Sequence, residues 1–367
     1  MKKLLLAEAI VLVVLVVVAV FVRAGIFRTP GTESELLGQN QLTSAPANED
    51  PVTDPPTDPP TDPPTDPPTA PPTQPPTDAP VISTDPPTEP TLPPTEPEGP
   101  GIPATGVTLS AKRYFVYDVS KDRFLAISGS ENNPVYPASI TKLFSAYVAL
   151  QYLDPDTVIA AGDELDLVKP GSSLAYIKKG HRLKVSMLIE AMMLPSGNDA
   201  AYIVAAAAGR AAGGQSLSAE AAVDHFVALM NRFAKEKGMT GSNFRNPDGF
   251  HVVDHYTSCH DLTIIAKLAL SNDVIMRYTG TVRDDVRFES GEIIEWKNTN
   301  ALINPQSKYY CENAIGLKTG STGAAGNCLL SAFREKDGIY IIGVFGCEEG
   351  NDRFSDTRKL YWTQVCE

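Results

Sequence analysis

The chain has 367 residues, 43% of them hydrophobic, and a formal net charge of −13. That length is too great for one ordinary domain, and the acidic balance argues against a nucleic-acid partner. The 31 prolines are unevenly spread, most of them between Pro51 and Pro103, which leaves one globular candidate over 107–367.

The chain opens Met1-Lys-Lys3 and continues as an apolar run, Leu4–Val22, interrupted by Glu8. About 19 residues of this kind match the thickness of a bilayer core. Lys2 and Lys3 orient the segment with its amino end in the cytoplasm. We read 1–24 as a retained signal anchor, so the rest of the chain is expected outside a cell membrane. A cleaved signal peptide ending near Val22-Arg-Ala24 would export the domain equally well.

Residues 25–106 read as a disordered linker. Over 51–100 it repeats Thr-Asp-Pro-Pro and then decays into Ala, Gln and Glu variants. Such proline density favours an extended polyproline II chain that buries no core. Its expected role is a spacer, with a ligand for a proline-binding partner or a glycosylated stalk as the alternatives.

Elements then follow in order. Tyr114–Val119 and Arg123–Ile127 are predicted strands of a hairpin turned by Ser120-Lys-Asp122. A helix is predicted over Ser139–Leu150, with Ile140, Leu143, Tyr147 and Val148 on its apolar face. A polar stretch runs to about Lys184. Helices follow over Val185–Leu194, from Asn198 to about Ala208, and to Lys237 after an N-cap at Ser218. Thr257 or Ser258 caps another, ending at Leu270. Cys328–Phe333 and Ile339–Phe345 form a second hairpin, and Arg353–Cys366 closes as a helix. The expected fold class is α/β (α+β): an antiparallel sheet built from both ends of the domain, with helices on both sides.

Three short motifs carry the chemistry: Ser139-Ile-Thr-Lys142, Ser196-Gly-Asn198 and Lys318-Thr-Gly320. Three residues apart on a helix, Ser139 and Lys142 share a face. Ile140, Leu143 and Phe144 would desolvate the amine, lower its pKa and make it a proton acceptor for the serine. Ser196 and Asn198 follow Pro195 in a tight connection. The hydroxyl would relay a proton and the amide would hold a substrate amide. Gly320 would let a strand edge approach a substrate closely. Lys318 and Thr319 would hold a carboxylate. Taken singly, each motif reads as a solvated pair, an ordinary loop or a glycine turn.

Together these words resemble the serine-type D-alanyl-D-alanine carboxypeptidases, the low-molecular-mass penicillin-binding proteins of the β-lactamase/transpeptidase-like superfamily. The likeness extends over Pro137-Ala-Ser-Ile-Thr-Lys142, Ser196-Gly-Asn-Asp-Ala-Ala201, Asn246-Pro-Asp-Gly249 and Gly316-Leu-Lys-Thr-Gly320. It implies that Ser139 is acylated, Lys142 is the general base and Ser196 shuttles a proton. It also implies that Asn198, Lys318, Thr319, Gly320 and Ser321 bind substrate, and that the Ser139 and Ser321 N–H groups form an oxyanion hole. The implied substrate is a peptidoglycan stem peptide ending in D-Ala-D-Ala, with β-lactam antibiotics as covalent inhibitors and no cofactor or metal. Relatives of this kind add a β-rich domain and a carboxy-terminal anchor after the catalytic part. This sequence runs no further than the helix at 353–366, so the amino-terminal anchor and stalk are expected to replace them.

Asp248 stands where such proteins often carry His, a change without a mechanistic reading at this level. A class A β-lactamase would need a Glu-x-x-x-Asn loop, which we do not find between Asn198 and Lys318. A catalytically dead wall-binding module would be expected to lose Ser139 or Lys142. His251, His255 and His260, with Asp254 and Asp261, follow a turn, where alignment for a metal is poor, and are read as structural. Five cysteines leave at least one free thiol in an exported protein.

Overall fold

The computed structural model describes residues 101–366. The anchor expected over 1–24 and the linker as far as residue 100 lie outside the described residues. Ile102 is already paired with Ile127, so the chain joins the fold ahead of the boundary expected at 106.

The first hairpin is β1 (Arg113–Asp118) and β2 (Arg123–Ile127). Its turn is held by Asp118, whose Oδ1 accepts the Ser120 and Lys121 N–H groups, both at 3.0 Å. After short β3 (Pro134–Val135), a 3-10 turn over Ala138–Ile140 leads into α1 (Thr141–Ala149). The polar stretch that follows contains a small hairpin, β4 (Val158–Ala160) with β5 (Arg182–Lys184). Helices α2 (Val185–Met193), α3 (Asn198–Gly213) and α4 (Ala219–Glu236) come next. Then come β6 (Thr257–Ser258), α5 (Cys259–Leu270), α6 (Asp273–Thr279) and the hairpin β7 (Arg283–Arg287) with β8 (Ile293–Lys297). The chain closes through β9 (Ala314–Thr322), β10 (Gly326–Glu335), β11 (Gly338–Cys347) and α7 (Asp352–Gln364).

The main sheet has five antiparallel strands in the order β2-β1-β11-β10-β9. Both ends of the domain supply it, as the order of predicted elements implied. Its strands are apolar on both faces because both faces are covered. Phe115, Tyr117, Leu330, Ala332, Ile341 and Phe345 point into the core shared with the helices from α1 to α6. Val116, Leu329, Phe333, Ile342 and Val344 point to the other face, under Phe354, Leu360 and Tyr361 of α7. This alternation is the two-residue period of a strand.

Helix α3 explains the alanine-rich stretch. Gly209 packs where an added Cβ would lie 1.9 Å from the Ala222 carbonyl oxygen, so α3 and α4 touch nearly backbone to backbone. Ser258 caps α5 by accepting the Asp261 N–H at 3.1 Å. The short strands β3 to β6, helix α6 and the β7–β8 hairpin were not foreseen. The strands β3 to β6 are two or three residues long and α6 only seven, too short to show a period, and the β7–β8 hairpin is charged on its outer face.

Candidate active site

Helix α1 does not begin at Ser139. Ser139 lies in the preceding 3-10 turn, and Ala138 adopts a left-handed φ of 48°. Tertiary contacts impose this tighter geometry. Gly249, itself at φ 80°, passes so close beneath that an added Cβ would lie 1.9 Å from the Ala138 carbonyl oxygen. On the other side Gly320 of β9 lies against the Pro137 carbonyl and the Ser139 N–H; its Cβ would come within 2.8 and 3.1 Å of them. The serine turn is therefore clamped between two glycines. Gly323, by contrast, faces open space.

The Lys142 side chain is fully buried. Its Nζ lies 2.9 Å from Ser139 Oγ, 2.7 Å from Asn198 Oδ1 and 2.8 Å from the Asp248 carbonyl oxygen. Two of these partners can only accept. A neutral amine has two N–H donors and one lone pair. As an ammonium the group donates to all three partners; once neutral, with both donors committed to Asn198 and Asp248, its lone pair faces the Ser139 hydroxyl. Burial pulls the Lys142 pKa down to about 8, against the opposing pull of the Asp248 and Asp199 carboxyls. A mostly desolvated amine at this pKa is a competent proton acceptor near neutrality.

The turn that presents the Asp248 carbonyl is built by Asn246. Its Oδ1 accepts the Gly249 N–H and its Nδ2 donates to the Phe250 carbonyl, each at 2.8 Å. The Ser145 hydroxyl ties the same turn to α1 by donating to the Pro247 carbonyl at 2.6 Å. Asn198 sits at the start of α3, where its Nδ2 donates to Ser172 Oγ at 3.0 Å. Asp199 beside it accepts the N–H groups of Ala175, Ile177 and Ala200 at 2.9, 3.0 and 2.9 Å. The Ser172 loop is thereby fastened over the cleft.

Ser196 occupies a buried turn with a left-handed φ of 63°. Among the described residues its hydroxyl has no hydrogen bond to the Ser139–Lys142–Asn198 group. Ser196 is thus the one predicted catalytic group not joined to its partners here.

Strand β9 is an edge of the main sheet, so one row of its backbone groups is left unpaired by other strands. The cleft, about 240 Å³, is bounded by Ser139, Ser172, Asn198, Phe250, His251 and the Ser321–Gly323 end of β9. Among the described residues no carboxylate lines it. Lys318 is buried, and among the described residues its Nζ has a single weak partner, the Thr319 carbonyl at 3.2 Å. Burial, then Lys142 and Arg353, hold its pKa well below the usual lysine range. Thr319 Oγ1 pairs with Thr299 Oγ1 at 2.6 Å.

Arg353, at the start of α7, was missed as a site residue. Its Nη1 donates to the Gly320 carbonyl at 3.2 Å and to Ser321 Oγ at 2.9 Å, and its buried Nε has no partner among the described residues. Among the described residues neither Lys318 nor Arg353 is paired with a carboxylate. Two basic groups beside one strand edge form a receptor for an anion, whose charge would favour the protonated form of Lys318. No local signal pointed to Arg353, which is 35 residues beyond Lys318 and adjacent only through the sheet.

The histidines are accounted for elsewhere. His255 Nδ1 accepts the Arg245 N–H at 3.2 Å, which makes Nε2 the protonated nitrogen, donating to Thr141 Oγ1 at 3.0 Å. His251 packs edge-on against Tyr136, and His260 Nδ1 lies 3.0 Å from Asp261 Oδ1. All five cysteines are unpaired thiols.

A hydroxyl against a buried amine, with an open strand edge and a cationic end, has the parts of a serine acyl-transfer centre. The D-alanyl-D-alanine carboxypeptidase family, peptidase S11, matches residues 100–348, and the chain belongs to this family. It is 30% identical over 235 residues to D-alanyl-D-alanine carboxypeptidase DacF of Bacillus subtilis, covering 63% of this chain and 56% of that protein. It is 33% identical over 232 residues to the D-alanyl-D-alanine carboxypeptidase of Streptomyces sp. strain K15, covering 60% of this chain and 76% of that one. The chain spans little more than half the length of DacF and 60% of DacC of Escherichia coli. Among solved structures, the Streptomyces K15 DD-transpeptidase superimposes with a TM-score of 0.65 at 27% identity, over 72% of this chain and all of that one.

Proposed function

We propose that this protein is a D-alanyl-D-alanine carboxypeptidase that removes the terminal D-Ala of peptidoglycan stem pentapeptides through a serine acyl-enzyme. The observation that carries this reading is the 2.9 Å contact between Lys142 Nζ and Ser139 Oγ, made by an amine excluded from water. Lys142 takes the Ser139 proton as Oγ attacks the penultimate D-Ala carbonyl. The oxyanion forms against the Ser139 and Ser321 N–H groups, donors each worth on the order of 3 kcal/mol to a transition state. Asn198 holds the peptide amide. Ser196 passes a proton to the departing amine, a role that requires its hydroxyl to turn toward the cleft when substrate is present. Lys318, Thr319 and Arg353 receive the terminal carboxylate beside Gly320 and Ser321. That carboxylate would restore the full charge of Lys318. Water then hydrolyses the ester.

A β-lactam presents a similar amide and carboxylate and would acylate Ser139. Among the described residues no carboxylate lines the cleft in the place a class A β-lactamase would need one, which disfavours that alternative. The sequence also supports delivery of the domain outside the cell membrane on the Leu4–Val22 anchor and the proline-rich linker.

Fluorescent penicillin tests the reading. Covalent label on the full chain that disappears in Ser139→Ala supports it, and a folded wild-type chain that takes no label refutes it. Mass spectrometry of a pentapeptide digest, with and without an amine acceptor, separates hydrolysis from transfer. Protease protection of intact cells reports on which side of the membrane the domain lies.

A further inference from the structure

Asp248 is the buried charge in this site that the mechanism leaves unused. It is 1% exposed. Its Oδ1 accepts the Phe250 N–H at 3.3 Å and the Asn198 amide also favours its charged form, while its Oδ2 has no hydrogen-bond partner among the described residues. An orphaned carboxyl oxygen in a dry site costs stability, so its place calls for a partner that gains charge. That partner is adjacent, because the backbone of the same residue accepts a hydrogen bond from Lys142 Nζ at 2.8 Å.

We propose that Asp248 is a positioning residue for the acyl-transfer reaction: its carboxylate offsets the charge Lys142 acquires when it takes the Ser139 proton. The proposal rests on the serine–lysine reading above. In the step concerned, the Ser139 O–H bond breaks, its proton joins the Lys142 lone pair, and Oγ bonds to the carbonyl carbon. One positive charge appears at Nζ, which bonds the Asp248 carbonyl, and the Asp248 carboxyl favours that charge.

The other groups facing this pair are otherwise committed. Asp199 on α3 also favours the ammonium, but its carboxylate is spent on three backbone N–H groups. Tyr202, on the same helix, lies near Asp248 and stays protonated. Lys318 on β9 opposes the Lys142 charge. His255 also faces Lys142, but burial lowers its pKa to about 3 and keeps it neutral. Burial, the larger influence, raises the Asp248 pKa, while Lys142 pulls it toward the charged form. The two groups therefore titrate as a pair.

The test is the pH profile of serine acylation by penicillin, and of peptide turnover, in full-length wild type and Asp248→Asn. Without the carboxylate the ammonium is less stable. The acid limb should then move to lower pH by about one unit, the low end for a close opposite charge. One unit below the wild-type midpoint the variant would run about fivefold closer to its own plateau, while that plateau falls because the amine is a weaker base. Asp248→Ser supplies a second side chain that carries no charge at any pH and should shift the limb in the same sense. A plateau that falls with the limb unmoved, or a limb that moves to higher pH, overturns the proposal and leaves the serine–lysine assignment standing. A wild-type chain that is not acylated at all overturns both.

Discussion

At the scale of single residues, the decisive fact is how completely water is excluded from the Lys142 amine. Its pKa near 8 gives a signed expectation. The reactive form is the neutral amine, so kcat/KM should fall tenfold per pH unit below about 8, with the protein still folded by circular dichroism. A rate that stays flat to pH 5 would remove Lys142 as the base. Lys318 offers an independent check. Lys318→Gln keeps a polar side chain but loses the charge that meets a carboxylate. A charge-assisted hydrogen bond contributes about 1.5–3 kcal/mol, so kcat/KM should drop roughly 10–100-fold for a free-carboxylate peptide. The same substitution should change much less for the C-terminally amidated peptide. Equal losses on both substrates would mean that Lys318 does not read the carboxylate.

At the scale of elements, the serine turn is shaped by what presses on it. Gly249→Ala would drive a methyl group into the Ala138 carbonyl and demand a left-handed alanine. We expect loss of acylation together with destabilisation of at least ~1–3 kcal/mol, read as a lowered Tm. Ser258→Ala is the contrasting case. It removes the cap of α5, at about 1 kcal/mol, and should lower Tm while leaving the acylation rate unchanged. If Ser258→Ala abolished labelling, α5 would have to belong to the site in a way the geometry does not suggest. The serine motif, the Asn246–Gly249 turn and the β9 edge therefore behave as one clamped unit, with α5 outside it.

For the molecule as a whole, buried titrating groups set the pH range of stability. Burial lowers His255 to about 3 from an unfolded value of about 6.5. The unfolded chain binds the proton first, so stability is full above about pH 6.5 and is lost as pH falls toward 3. Glu190 acts in the opposite sense. Burial, helped by Asp284, raises it to about 8, so the folded chain holds its proton longer. Its contribution is full below about pH 4.5 and declines as pH rises toward 8. Chemical denaturation across pH should show a stability maximum between these slopes. Glu190→Gln should flatten the alkaline side and leave the acid side in place, and an unchanged alkaline slope would show that Glu190 does not titrate there.

The residues alone determined much of this. Strand and helix periods placed the β1–β2 and β10–β11 hairpins and most of the helices, because apolar spacing is a local property. The Ser-x-x-Lys spacing put hydroxyl and amine on one face for the same reason, and the glycine of Lys318-Thr-Gly320 signalled close backbone approach. What the residues could not determine were encounters between segments far apart in the chain. Arg353 reaches Ser321 only because α7 packs beside the end of β9. The unforeseen 3-10 turn at Ser139 follows from Gly249 and Gly320 closing on it from two sides. Asp248 acquired a meaning only once its carbonyl was seen against Lys142. Local spacing fixes which side chains share a surface, whereas burial and the sharing of charge depend on which surfaces meet, and that is decided by tertiary packing.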